Sequence, residues 1–448
     1  MSSTQNINQS FAPRAFHVMT KPIGPLCNLD CQYCFYLEKE NLFPADENYK
    51  MSDEVLETYV RKYIQSQHTP EISFAWQGGE PTLMGLDFFR KVVALQRQHA
   101  GGRKVNNSFQ TNGTNLNDDW CKFFAREGFL VGLSIDGPEH IHDRYRVDKG
   151  GLGSYARVFQ ALEILKKWRV EFNTLTCVTR QSPNEAVEIY RFLKKQGVTF
   201  MQFIPIVERA GDRAAHAIGL DLAVPPELRS DENHDAMMPW ATSADDFGTF
   251  LCNVFDEWIK EDVGRIYVNI FDMALSAWCG MEPGLCTFSK CCGQAVAMEH
   301  DGRVYSCDHY VYPDYALGNI MEKSLEEMIY SKEQIKFGSD KRDALPAYCR
   351  ECEYLSACNG ECPKHRFINT PDGEAGLNYL CAGYKKFFKH VDPAMKEMAE
   401  LVQNGRSAAD IMNKRTRSSA PPLTKGAPAR NDACSCGSGL KFKKCCGK

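Results

Sequence analysis

Short apolar runs recur through the first 206 residues. They lie at 15–20 (AFHVMT), 71–76 (EISFAW), 105–110, 129–135 (FLVGLSI), 171–178 (EFNTLTCV) and 199–206 (TFMQFIPI). Each is short and rich in β-branched and aromatic residues, the signature of a strand. Helix-period segments separate them. In 52–67, Val55, Leu56, Tyr59, Val60, Tyr63 and Ile64 fall on one face, and Ser52 is placed to cap the N-terminus. Ser182-Pro183-Asn184-Glu185 reads as a capping box with proline at the first helical position. Repeated β-α units predict a parallel sheet. Six such strands fit an α/β fold of the open, partial (β/α)6 barrel kind.

The pattern changes after residue 206. Residues 207–285 contain a polar, proline-bearing stretch (AVPPELRSDENHD) and a helix-period run at 243–261. A bridging segment that contributes to a cleft is expected there. Residues 286–390 are rich in cysteine. From 391 a helix is expected to give way to a flexible linker at 405–433, where apolar periodicity fades into Arg, Lys, Ala, Ser and Pro. The last unit, 434–448, is CSCGSGLKFKKCCGK.

A hydrophobic content of 43% and a charged content of 25% fit a globular chain with a sizeable core. A net charge of −4 carries no whole-chain argument for nucleic acid. The segment MSSTQNINQSFAPRAF lacks a signal-peptide apolar core, and no run reaches membrane-spanning length. A cytoplasmic protein with no membrane association is expected. Twenty cysteines in such a compartment point to metal rather than disulfides.

Cys27, Cys31 and Cys34 sit in the run CNLDCQYCFY. Three thiolates in that spacing can cap three irons of a cubane and leave the fourth iron without a protein ligand. An open metal position is a place to bind and activate a small molecule. A closed site would need a fourth ligand nearby, and no further cysteine follows until Cys121. Zinc would more often use paired Cys-x2-Cys clusters.

These residues resemble the radical S-adenosylmethionine (SAM) enzymes and, within them, the anaerobic sulfatase-maturating enzymes. The resemblance is carried by CNLDCQYCFY (27–36), GGEP (78–81), QTNG (110–113), LSIDGP (133–138) and a second cysteine series from 286 to 381. It spans residues 15 to about 390. It implies a TIM-like partial barrel followed by a cysteine-rich SPASM domain. It implies that the open iron chelates SAM, with Tyr33 in the aromatic position before Cys34. Gly78, Gly79 and Glu80 would meet the SAM amino group, Ser134 and Arg157 its ribose and carboxylate, and Tyr36 its nucleotide.

The second series resembles the SPASM arrangement, which implies two further 4Fe–4S clusters and three in all. Cys286, Cys292, Cys307 and Cys362 would hold one, and Cys349, Cys352, Cys358 and Cys381 the other. Cys291 and Cys292 are adjacent and either could ligate. Cys292 is chosen because nine residues then precede Gly302 and four separate Gly302 from Cys307. A pair of zinc sites is the competing reading of these cysteines, since both metals take sets of four thiolates. Cys121, Cys177, Cys252 and Cys279 read as inert buried thiols.

Asp308 follows Cys307 directly, in CDHYVYP. The resemblance implies that it is the catalytic base, and position beside a cluster ligand favours that role. The competing reading is a surface aspartate capping a turn. The implied reaction starts with reductive cleavage of SAM to a 5′-deoxyadenosyl radical. The radical removes a β-hydrogen from a Cys or Ser side chain, Asp308 takes the thiol or hydroxyl proton, and an electron passes to an auxiliary cluster. The product is Cα-formylglycine in a sulfatase segment of the Cys/Ser-x-Pro-x-Arg type. A flavodoxin- or ferredoxin-type electron donor and a monomeric state are also expected. Two alternatives are a SPASM maturase that crosslinks a precursor peptide and a non-catalytic metal scaffold. The vacant iron and GGEP count against the scaffold.

Cys434, Cys436, Cys445 and Cys446 resemble the SEC-C motif, which implies one closed zinc site. From residue 405 onward ten basic residues face two acidic ones, which fits either an acidic partner or a solvated tail.

Overall fold

The computed structural model describes residues 15–44, 47–229, 236–413, 431 and 438–445. Six strands, β1 (His17–Thr20), β2 (Glu71–Trp76), β3 (Lys104–Thr111), β4 (Phe129–Ser134), β5 (Glu171–Val178) and β6 (Phe200–Pro205), lie side by side in chain order. Every neighbouring pair among them is parallel. Between them run helices α1 (Asp53–Ser66), α2 (Leu86–His99), α3 (Asp118–Glu127), α4 (Tyr155–Lys167) and α5 (Ser182–Lys195). The result is an open sheet of partial-barrel form.

Strand alternation builds the core. Ile72, Phe74 and Trp76 of β2 are buried towards the helices, where Phe74 packs on Tyr59 of α1 and Trp76 on Phe89 of α2. The apolar face read for 52–67 is the buried face of α1, and Ser52 accepts from the Val55 N–H. The opposite strand face carries smaller and polar groups. A Cβ on Gly132 would lie 2.1 Å from Gln110 Oε1, so glycine lets Gln110 cross β4 and donate to Ser134 at 3.0 Å.

Three differences from the sequence reading stand out. The sheet does not stop at residue 206. β7 (Tyr267–Val268) adds in parallel to β6, and β8 (Ala295–Met298) adds in parallel to β1. β9 (Arg303–Tyr305) and β10 (Ala316–Asn319) then extend the edge in antiparallel fashion. The cysteine-rich region therefore continues the barrel sheet. The capping box at Ser182 does not form. Ser182 lies inside the first turn of α5, its Oγ accepts from the Thr179 N–H, and Glu185 pairs with Arg144 at 2.6 Å.

The expected linker also starts later. Helices α6 (Ala244–Glu261), α7 (Asn269–Trp278) and α8 (Cys381–Gln403) pack together, and residues 405–413 fold back beyond α8. Ile411 is fully buried in the core and anchors that segment. Residues 414–430 and 432–437, with most of the expected linker, lie outside the described residues. No helix among the described residues is long and apolar enough to cross a membrane.

Candidate active site

The site gathers at the C-terminal ends of the strands, where parallel barrels place their chemistry. The loop after β1 carries Cys27, Cys31 and Cys34. The GGE turn after β2 is laced to it, with Gly79 N–H donating to Gly24 O at 2.8 Å and Glu80 N–H to Leu26 O at 2.9 Å. A Cβ on Gly79 would fall 1.9 Å from Leu26 O, so only glycine permits this approach. Gly78 has φ +125°, a conformation that favours glycine. Both glycines thus shape the cysteine loop itself.

Glu80 is fully buried. Its carboxylate accepts from Thr82 N–H and Oγ1, Thr111 Oγ1 and Asn112 N–H at 2.6–3.1 Å. It clamps the GGE turn to the TNG turn after β3. Burial pushes its pKa up, against those bonds. On the other side, Asp30 and Gln32 donate backbone bonds to Val147 and Tyr145. Asp136, after β4, holds this flank. It accepts from Tyr33 Oη, from Cys177 N–H at 2.9 Å and from Arg146 at 2.8 and 3.1 Å. Burial alone would raise the Asp136 pKa, but Arg146 outweighs it and holds the carboxyl below its usual range.

Cys27, Cys31 and Cys34 face one another, and each thiol is pushed up, Cys27 to about 12, mainly by burial. A half-buried set of thiols with backbone and Asn112 donors around it fits metal binding, which would displace the protons. Ser134 stands at the end of β4. Arg157 is 43% exposed and paired with Asp148 at 3.1 Å, and Asp148 bridges to Leu29 of the cysteine loop. The buried cation beside Cys31 is Arg146, whose guanidinium also donates to Cys177 at 3.5 Å. Cys177 is therefore not remote; it sits close to Cys34.

Asp308 follows β9. It meets Lys21 Nζ at 2.5 Å and accepts from Gln77 Nε2 at 3.3 Å. Lys21, 1% exposed, lies 3.5 Å above the Tyr36 ring, and Tyr36 Oη donates to buried Glu299. Burial would raise the Asp308 pKa, but Lys21, His309 and Lys364 outweigh it, and the carboxyl is held below its usual range. So the carboxylate is ionised and oriented from both sides.

The second cysteine series folds into two groups. Cys286, Cys292, Cys307 and Cys362 interact with one another, and Cys292, not Cys291, faces Cys286 and Cys307. Cys349, Cys352, Cys358 and Cys381 form the other group. Buried Lys341 donates to the Cys286 and Thr287 carbonyls. Asn359 and Glu361, between Cys358 and Cys362, have φ of 46° and 52°, and Arg366 pins both of their carbonyls. That strained loop persists because Arg366 overdetermines it. Among the described residues no three metal-binding side chains converge as on a single ion. A cavity of about 430 Å³ is lined by Cys31, Cys34, His309, Glu361 and His365 among others.

Comparison with known proteins matches this layout. Residues 22–193 match the Radical SAM superfamily, 286–353 an iron–sulfur cluster-binding domain (SPASM) and 430–448 the SEC-C motif. The chain is 46% identical over 405 residues to the serine-type anaerobic sulfatase-maturating enzyme of Bacteroides thetaiotaomicron, covering 90% of this chain and 96% of that one. It belongs to the anaerobic sulfatase-maturating enzymes. A cysteine-type member from Clostridium perfringens is 33% identical over 393 residues, 86% of this chain and 99% of its own. The solved structure of native anSMEcpe with bound AdoMet and Cp18Cys peptide aligns with TM-score 0.74 at 32% identity, covering 87% of this chain and all of that one. Streptococcus suis SuiB bound to S-adenosylmethionine shares the fold, at TM-score 0.55 and 13% identity over 82% of this chain and 77% of its own.

Within this maturase, sequence reasoning missed Lys21, Gln77, Arg146, Glu299 and His309. Lys21 and Gln77 are each the first residue beyond a strand, β1 and β2, and the strand-end rule would have flagged both. Of the tail cysteines, Cys445 accepts from Ser438 Oγ at 3.2 Å. Cys434, Cys436 and Cys446 lie outside the described residues.

Proposed function

We propose that this chain oxidises a side chain of a sulfatase polypeptide to Cα-formylglycine without oxygen. One observation carries the reading: a single cavity is lined by Cys31 and Cys34 of the cysteine loop and by His309, whose chain neighbour Asp308 is a carboxylate oriented by Lys21. Its size, about 430 Å³, suits a peptide side chain with its flanking backbone.

Cys27, Cys31 and Cys34 would hold the SAM-binding cluster and the two groups of four the auxiliary clusters. When bound, these groups supply one-electron cleavage of SAM and electron uptake. The protein's own residues do the rest. Gly78, Gly79 and Glu80 fix the cysteine loop beside the ligand. Ser134 and Arg157 present polar groups towards SAM, and Tyr36 is held for the nucleotide by Glu299. Asp308 accepts the substrate proton. Lys21 and Gln77 aim its two oxygens.

The 46% identity to a serine-type relative, against 33% to a cysteine-type one, favours serine as the target. A flavodoxin- or ferredoxin-type donor would supply electrons in the cytoplasm. The SEC-C tail would bind one zinc, its basic residues meeting an acidic partner.

The test is anaerobic incubation of the reduced, reconstituted chain with SAM and a Ser-x-Pro-x-Arg peptide or its Cys version. Formation of 5′-deoxyadenosine together with an aldehyde trapped by a hydrazide, faster for Ser, is expected. A crosslinked peptide with no trappable aldehyde would overturn the reading in favour of a crosslinking maturase.

A further inference from the structure

Asp308 and its neighbour diverge. Asp308 turns to Lys21 and Gln77, whereas the His309 ring turns to the cysteine group. Its Nδ1 lies 3.4 Å from Cys362 Sγ. Its backbone N–H donates to Cys307. One residue thus offers two N–H groups to two sulfurs of the same four-thiol set. A metal-bound thiolate has no proton to give, so Nδ1–H is the donor.

Two rings pack against it. Phe35, next to Cys34, meets it edge-on at 5.7 Å and 88°. His365 lies 6.1 Å away and is tied to Glu361 at 3.0 Å. The ring also lines the cavity that reaches Cys31 and Cys34. Hydrogen bonds to sulfur are among the factors that set a cluster's reduction potential. A donated N–H favours the more negative, reduced state, because its positive end faces the added charge.

We propose that His309 is a positioning residue that raises the electron affinity of the cluster held by Cys286, Cys292, Cys307 and Cys362, through its ring N–H to the Cys362 sulfur. The inference rests on the reading that these four thiols hold a cluster. It places the control of electron uptake one residue from the base.

The test uses the full chain with Cys27, Cys31 and Cys34 replaced by Ala, reconstituted anaerobically, so that only the remaining clusters signal. Redox titration followed by electron paramagnetic resonance should show two waves. His309→Phe keeps a ring and removes the donor. It should move one wave to more negative potential by about tenfold in the reduction equilibrium, or 59 mV for one electron. His309→Asn places an amide N–H where Nδ1 was and should stay close to the parent. In the parent labelled with histidine carrying 15N only in the imidazole ring, so that the backbone N–H to Cys307 stays silent, the reduced cluster should show a weak 15N hyperfine coupling, and this reading stands even if the Phe variant loses its cluster. Unmoved waves in His309→Phe, equal shifts in Phe and Asn, or no nitrogen coupling in the parent would each overturn the proposal. A parent that holds no iron would instead refute the cluster reading, and the proposal with it.

Discussion

Cys27, Cys31 and Cys34 lie on one loop after β1, whereas the eight thiols of the two further groups are strung from 286 to 381 and are gathered largely by tertiary packing. The first region is local. Its geometry comes from a short loop, two glycines and a buried glutamate that accepts four hydrogen bonds. The second depends on distant partners: Lys341 on the Cys286 carbonyl, Arg366 on the 359–361 turn, and α8 to present Cys381. Each region also has a carboxylate with a different purpose, fully buried Glu80 in the first and half-buried Asp308 in the second. Glu80 is saturated by fixed donors. Asp308 has one cation, one amide and a flank open enough to leave the side chain 18% exposed. A carboxylate fully committed to its neighbours builds structure, and one left partly open can take a proton.

Replacement of Cys27, Cys31 and Cys34 by Ala separates the regions most sharply. SAM cleavage should vanish, while iron content falls from about twelve to about eight per chain. Iron analysis with a 5′-deoxyadenosine assay checks both. A fall to near zero would show that the second region does not stand alone.

A smaller effect is expected where the second region ends. A chain ending at Asn413 should keep its stability and peptide activity. One ending at Gly405 loses Ile411 and should be less stable by about 2–5 kcal/mol. Auxiliary iron should be lost first, because α8 carries Cys381. Denaturant midpoints and iron counts of the two truncations decide it. Equal stability would mean that residues 405–413 are not part of the core.

The smallest effect concerns acid. Burial pushes His142 down to about 3, and its Nδ1 accepts from the Asp136 N–H at 3.2 Å. The folded histidine stays neutral while the unfolded one takes up a proton below pH 6.5, so stability is lost as pH falls from 6.5 towards 3. Each pH unit in that window costs about 1.4 kcal/mol. Denaturation at pH 7.5 and 5.5 should show a shallower loss for His142→Gln than for wild type. Parallel losses would remove His142 from the account.

Much of the first region was legible in the chain. Short apolar runs located β1 to β6, helix periodicity located the buried face of α1, and the cysteine spacing located the loop. These signals are local and repeat within a few residues. The Lys21–Asp308 pair joins the end of β1 to the end of β9 and has no local signature. The addition of β8 to β1 is equally non-local. Ser182 had the capping-box pattern, yet Glu185 found a stronger partner in Arg144. Residues 405–413 looked like linker because their apolar stripe is short: Ile411 is fully buried, and only Ala408, Ala409 and Met412 pack against the core with it.

The most direct measurement of the central claim is the ratio of 5′-deoxyadenosine to formylglycine in Asp308→Asn. Asn keeps the shape beside Lys21 and Gln77 and removes the basicity. The proposed SAM contacts, including Ser134 and the GGE turn, are untouched. With cluster content verified, 5′-deoxyadenosine should still form while formylglycine falls by about 10²–10⁴. A fully loaded Asp308→Asn chain that makes formylglycine at near-normal yield would contradict the account.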